Sequence, residues 1–226
     1  MGKVLRFIGI VLMGLTSAFT ILGGVGTTCV ALGAENYPSM AGIAPFKWLY
    51  VTFVIVTTAI GVMMVRATVL LVRGRSNAYR YTVISLVLGI LIGVIHIIAS
   101  RSLRGASMPV DAVTYTAVLT LIVFLLFRIP GIWQRVDYSK SKKADNQNAG
   151  GAAVIVSGML ALSIQYLMAS THTMNGGINY GDAFNLSMTV IGWGLMIFGF
   201  SLIIFKNKIV PIYKKPFPKI QNHFNQ

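Results

Sequence analysis

Six apolar runs, each close to the length that crosses a lipid bilayer, dominate this sequence and constrain its fold more than any other feature. They cover residues 7–30, 48–72, 80–100, 111–127, 151–170 and 184–205. A hydrocarbon core of roughly 30 Å takes about 20 apolar residues in a helix. In lipid the backbone must satisfy its own polar groups, so only helices and closed barrels can span. A barrel strand would alternate polar and apolar residues, and residues 83–92 and 119–127 show no such alternation. The predicted fold is therefore all-α: a polytopic bundle of six transmembrane helices with short loops, one domain over residues 1–205, and a tail over 206–226. Only 11% of residues are charged and the mean hydropathy is +0.74. Both values exclude an ordinary soluble domain and a disordered chain.

The basic residues orient the bundle. Of the nineteen Lys and Arg, fifteen fall at the N-terminus, in the second and fourth loops, and in the tail. They are Lys3 and Arg6; Arg73, Arg75 and Arg80; Arg128, Arg135, Lys140, Lys142 and Lys143; and Lys206, Lys208, Lys214, Lys215 and Lys219. The opposite side carries three, Lys47, Arg101 and Arg104, beside Glu35, Asp111 and Asp182. This split follows the positive-inside rule and predicts both termini in the cytoplasm, in the plasma membrane of a bacterium or archaeon. It accounts for the formal charge of +14 without nucleic acid. The cytoplasmic face should attract anionic lipid. Lys3 and Arg6 ahead of an apolar run faintly resemble a secretory leader, but the run exceeds the 7–15 residues typical of a leader's apolar region, which favours an uncleaved first helix.

Several local expectations follow. Pro130 should end the fourth helix. Trp133 and Tyr138 suit headgroup-level anchors, and residues 139–148 read as a polar loop. Arg66, inside the second span, should snorkel to the cytoplasmic headgroups; pairing with Asp137 is the alternative. Asp111, just after Pro109, suits an N-cap, with Arg101 and Arg104 near it in an outer ion-pair cluster. Asn36-Tyr37 and Asn179-Tyr180 follow the first and fifth helices, too short an echo to carry a repeat.

Small residues mark the faces on which helices approach in lipid. The third helix carries Ser85, Gly89, Gly93, His96 and Ser100 on one stripe; the fifth carries Gly158, Ala161, Gln165, Ala169 and His172. Gly14 and Ala18 pair in the first, and Gly192 lies seven residues before Gly199 in the sixth. Gly14, Ala18, Ser85, Gly89, Gly93, Gly158, Ala161 and Gly192 are the expected packing positions.

Polar residues cluster toward the outer side: Thr27, Thr28 and Cys29 close the first helix, Thr114 and Thr116 open the fourth, and Asn185 and Thr189 open the sixth. The inner half looks almost wholly apolar. This asymmetry suits a cavity open to the outside that closes near mid-membrane. His96 and Gln165 lead the ligand-binding candidates, because polar groups inside a membrane are costly and often functional; Thr28, Asn185 and His172 complete the set. His96 with His172 could ligate haem or another metal, with Cys29 as a third, soft ligand. The ordinary readings are a histidine hydrogen-bonded to a neighbour, an interhelical bond from Gln165, and Cys29 as a small hydrophobe.

No nucleotide loop, zinc-hydrolase motif, nucleophile elbow or Cys-x-x-Cys is present, and apart from Asp111 at the mouth of the fourth no span holds Asp or Glu. Hydrolase chemistry and a carboxylate relay have no footing. The expected function is a non-enzymatic bundle, a homo- or hetero-oligomeric subunit or stabilising partner of a membrane assembly, with no cofactor. The alternatives are a carrier or pore for a small neutral or anionic solute, and a haem- or quinone-binding redox protein.

Overall fold

The computed structural model describes residues 1–138, 143–168, 182 and 184–205. Among them every regular element is helical. They are α1 (Gly2–Gly33), short 3-10 segments Ala34–Asn36 and Pro38–Phe46, α2 (Lys47–Val72), α3 (Ala78–Arg104), α4 (Val110–Leu126), α5 (Pro130–Val136), α6 (Lys143–Met168) and α7 (Asn185–Ile204). Five of these helical stretches are long and apolar enough to cross a membrane, and a sixth span results if α4 and α5, bent by 100° at their junction, are taken together.

α1 is the centre of the bundle, packed on α2, α4 and α6, while α3 closes the ring against α2 and α4. Glycines permit the close approaches: a Cβ on Gly24 would lie 2.6 Å from Thr58 Oγ1, one on Gly61 2.7 Å from Ile21, and one on Gly14 2.6 Å from Ala153. α7 packs chiefly on α6. There Gly151 and Gly158 face Gly199 and Gly192 so closely that each added Cβ would sit within 3.0 Å of the opposing glycine's carbonyl oxygen. The turns into and out of α3 use Gly74 at φ +62° and Gly105 at φ +70°, where a side chain would strain the backbone.

Two apolar clusters fill the interior. One, around Ile10, Met13, Met64, Leu86 and Phe124, lies toward the end that holds the N-terminus. The other, around Val30, Tyr37, Met40, Ile43, Tyr50 and Phe53, lies at the opposite end.

The structure corrects four local expectations. Residues 139–148 are not simply a loop, because α6 begins at Lys143 and Asn146 is 1% exposed. Its Nδ2 donates to Leu71 O at 3.2 Å, beside the bond that this last-turn carbonyl accepts from Gly74 N at 3.1 Å. Tyr138 is buried core rather than an anchor, since Gly9 leaves room for its hydroxyl. Asp111 lies inside the first turn of α4, capped by Pro109, and is used by an ion pair instead. The half of the bundle that looks apolar in sequence buries Thr16, Ser17, Thr82, Ser85 and Thr120. A helical Ser or Thr hides its hydroxyl by donating to the carbonyl a turn back, as Thr16 does to Leu12 O at 2.8 Å and Ser17 to Met13 O at 2.6 Å.

Other side chains sit where their chemistry suggests. Arg66 lies over the Tyr81 ring, 5.2 Å from its centroid. Arg128 lies over both Trp133 and Tyr79 at the N-terminal end. Pro130 starts α5 at its first helical position, where the missing N–H costs nothing.

Candidate functional site

Between the two apolar clusters lies a gap bounded by α1, α2, α3 and α4. His96 of α3 lies at its centre, 4% exposed. The spacing that makes Ser85, Gly89, Gly93, His96 and Ser100 one stripe turns all five toward neighbouring helices, and Gly93 lets Thr114 come up against α3. One face of the imidazole stacks on Phe53, with centroids 4.2 Å apart and planes within 16°. The Tyr50 ring meets it edge-on at 5.3 Å. Tyr50 and Ser100 share a hydrogen bond of 2.8 Å beside it. Aromatic packing thus fixes the ring's position, and among the described residues no protein group makes a hydrogen bond to its nitrogens.

Two cavities, each of about 30 Å³, adjoin His96. The first is lined by Thr20, Thr27, Gly93, Thr114 and their apolar neighbours. The second is lined by Thr27, Tyr50, Ser100, Arg104, Met40 and Ile43. Each can hold about two waters or a solute of similar size. A macrocycle such as haem would require the helices to separate.

Where a vestibule open to the outside is expected, an apolar segment covers part of this end. Segment Pro38–Phe46 folds back over the bundle, with Ile43 fully buried, Met40 nearly so, and Gly42 seated against Leu103 O. Burial of these apolar side chains drives the closure, which no apolar run of helical length announced.

The ion pairs at this end are selective. Lys47 Nζ holds both carboxylate oxygens of Glu35, at 2.7 and 2.6 Å, and that hydrogen bond keeps the Glu35 carboxyl below its usual pKa. Arg101 donates to Asp111 Oδ1 at 3.0 Å and to Ser107 Oγ at 2.9 Å, while Ser107 donates to Asp111 Oδ2 at 2.6 Å. Arg104 belongs to neither pair. Its Nη2 donates to Met108 O at 2.6 Å, and its Nε is buried without a partner.

The expected site residues divide accordingly. His96 lies at the centre. Thr28 is not among the lining residues and Thr27 is, because a single step along a helix turns a side chain by about 100°. Asn185 is exposed at the start of α7, where its Oδ1 accepts from Thr189 at 3.1 Å. Gln165 falls within α6, with its side chain outside the described residues. His172, and with it the bis-histidine ligation, lies outside them too. Cys29, half-buried, makes a hydrogen bond with Tyr37 and lines neither cavity. Among the described residues no three His, Cys, Asp or Glu side chains gather where they could hold a metal ion.

Of the packing positions, Gly14, Ser85, Gly158, Ala161 and Gly192 are buried and Gly89 abuts Met64, whereas Ala18 is half-exposed and Ser17 takes the interior place. Sequence reasoning missed Tyr50, Phe53 and Arg104. The first two follow the turn into α2 and read as ordinary span residues; Arg104 read as a member of an ion-pair cluster. In comparisons with known proteins, no family model, no curated protein and no solved structure matches this chain.

Proposed function

We propose that the protein is a non-enzymatic integral-membrane bundle that serves as a subunit or stabilising partner of a membrane assembly. In this reading it sits in the plasma membrane of a bacterium or archaeon with both termini in the cytoplasm. The observation that carries the reading is the mounting of α7. Only Gly192 and Gly199 of this helix are buried, and Trp193, Ile197, Phe198 and Phe200 all face outward. Such a helix presents an apolar face to lipid and to neighbouring helices, where association rests on packing. The basic side chains gathered at the N-terminal end support the orientation and a contact with anionic lipid.

A photoreactive amino acid at Ile197 tests the proposal in native membranes. A discrete protein adduct, to a second copy or another chain, is expected; labelling of lipid alone would overturn it. Cysteine labelling at Arg75→Cys and Lys47→Cys checks the orientation: only the second should react with an impermeant reagent applied from outside.

The cavities around His96 favour a second reading, a carrier for a small neutral or anionic solute. Solute flux in proteoliposomes should then fall for His96→Ala, and unchanged flux would remove this reading.

A further inference from the structure

Three positive charges lie at the end of the bundle near His96, and the structure uses only two of them in ion pairs. Both oxygens of Glu35 go to Lys47, and those of Asp111 go to Arg101 and Ser107. Asp182, the third acid at this end, makes no ion pair among the described residues, and Arg104 has none either, although the Asp111 carboxylate lies near enough to act on its charge. A guanidinium stays charged at any ordinary pH, and a buried N–H without an acceptor is costly. Yet Arg104 Nε is buried without a partner, and Arg104 lines the second cavity.

The rest of that wall also supplies donors. Tyr50 and Ser100 have two hydroxyl protons and use one between them, leaving one O–H for a third group. His96, more than nine-tenths buried, keeps at least one ring N–H and spends it on no protein acceptor. The first cavity, which His96 also lines, is richer in acceptors. Thr20, Thr27 and Thr114 have already donated to the carbonyls of Thr16, Gly23 and Val110, so they offer it lone pairs. Lone pairs suit water; the second cavity, mostly apolar and sharing Thr27 with the first, has few polar groups, and a cation without an ion pair among them suits an anion.

We propose that the cavity lined by Arg104, Tyr50, Ser100 and His96 binds one small monovalent anion of the size of chloride or formate. Arg104 supplies the charge, and His96 and the Tyr50–Ser100 pair supply hydrogen bonds. Space for about two waters and a single unpaired cation suit a small monovalent anion better than the larger, doubly charged and strongly hydrated sulfate. This deepens the reading of the His96 cavities as a solute site and does not require that solute be transported.

The test uses full-length protein in maltoside micelles without phosphate, comparing chloride with gluconate at constant ionic strength. Thermal unfolding should show a saturable rise of roughly 3–6 °C at a tenfold excess of chloride over its Kd. Bromide and formate should act similarly and sulfate should not. Arg104→Gln should abolish the rise and Arg104→Lys should restore part of it. Lys47→Gln, which removes one charge at the same end, should leave it intact. If Arg104→Gln does not fold, broadening of the chloride nuclear resonance by wild-type protein, reversed by bromide, reads the site directly. Absence of both the thermal rise and the broadening overturns the proposal. So does stabilisation that appears only with added phosphatidylglycerol, because the anion would then be a lipid phosphate. A positive result without flux in proteoliposomes establishes the anion site and removes the carrier alone.

Discussion

Gly158 of α6 and Gly192 of α7 meet backbone to backbone. A Cβ added to the first would lie 2.6 Å from the carbonyl oxygen of the second, and the converse distance is 3.0 Å. One heptad along, Gly151 and Gly199 repeat the arrangement at 2.8 and 2.7 Å. The seam is the principal attachment of α7, and its contacts are of the Cα–H···O and dispersion kind that need no polar side chain.

Leucine at Gly158 or Gly192 should therefore detach α7 without unfolding the remainder. Against Gly158 stand Gly192 O and Met196 N, backbone atoms that cannot swing aside, and against Gly192 the Leu162 side chain with Gly158 O behind it, so overpacking should cost about 1–3 kcal/mol. Amide exchange should quicken along α7 in Gly158→Leu and Gly192→Leu while α1 to α4 keep their protection. Unchanged exchange along α7 would show that the seam is dispensable.

Thr16 and Thr120 tie α1 to α4 by a hydroxyl pair at 2.7 Å, with both residues fully buried. A double-mutant cycle with Thr16→Val and Thr120→Val should give a coupling of about 0.6 kcal/mol, and no more than about 1.7. Thermal or denaturant unfolding in micelles measures it. Additive effects of the two substitutions would mean that the bond contributes nothing beyond the helix-local donation to Leu12 O.

Asn146→Leu removes the donor to Leu71 O at the polar end of the bundle. The cost should be about 0.5–1.5 kcal/mol, the net contribution of one hydrogen bond, because Leu71 O keeps the bond from Gly74 N at 3.1 Å. Asn146→Gln should recover little, since the longer amide has no space in a site 1% exposed. Amide exchange at the end of α2 and the beginning of α3 should quicken in both variants.

Glu35 should titrate below its ordinary value of 4.5, since the hydrogen bond from Lys47 favours the carboxylate. A depressed carboxyl stabilises the fold above the unfolded pKa, and that contribution is lost as pH falls through the lower folded value. Carbon-detected NMR of labelled glutamate, which this chain contains only once, follows the titration directly. Lys47→Met should return the midpoint toward 4.5. A midpoint unmoved by that substitution would show the pair is not formed in solution.

Much of the architecture was legible in the chain, for identifiable reasons. The apolar runs matched the helices to within a few residues at most ends, since bilayer thickness sets helix length. The stripe from Ser85 to Ser100 was legible because 3.6-residue periodicity puts those positions on one face, and His96 with them. The roof over its cavity was not. Met40 and Ile43 lie in a short segment rich in proline and glycine, and its burial depends on where Leu103 and Tyr50 arrive from other helices. Thr27 was mistaken for Thr28 because the phase of a helix face is set by its neighbours. The role of Arg104 was illegible for a related reason: three cations and two engaged carboxylates can pair in several ways, and spacing along the chain does not choose among them.

The sequence by itself determined that the chain forms apolar helices of membrane-crossing length, with basic residues grouped in alternating connections. Those properties are additive along the chain, one residue's transfer energy at a time. Tertiary structure alone decided that α1 is central, that α7 is attached through a glycine seam, that the His96 cavities are roofed, and that Arg104 is left without an ion pair. Each of these depends on distances between residues far apart in sequence, which only the packed helices specify.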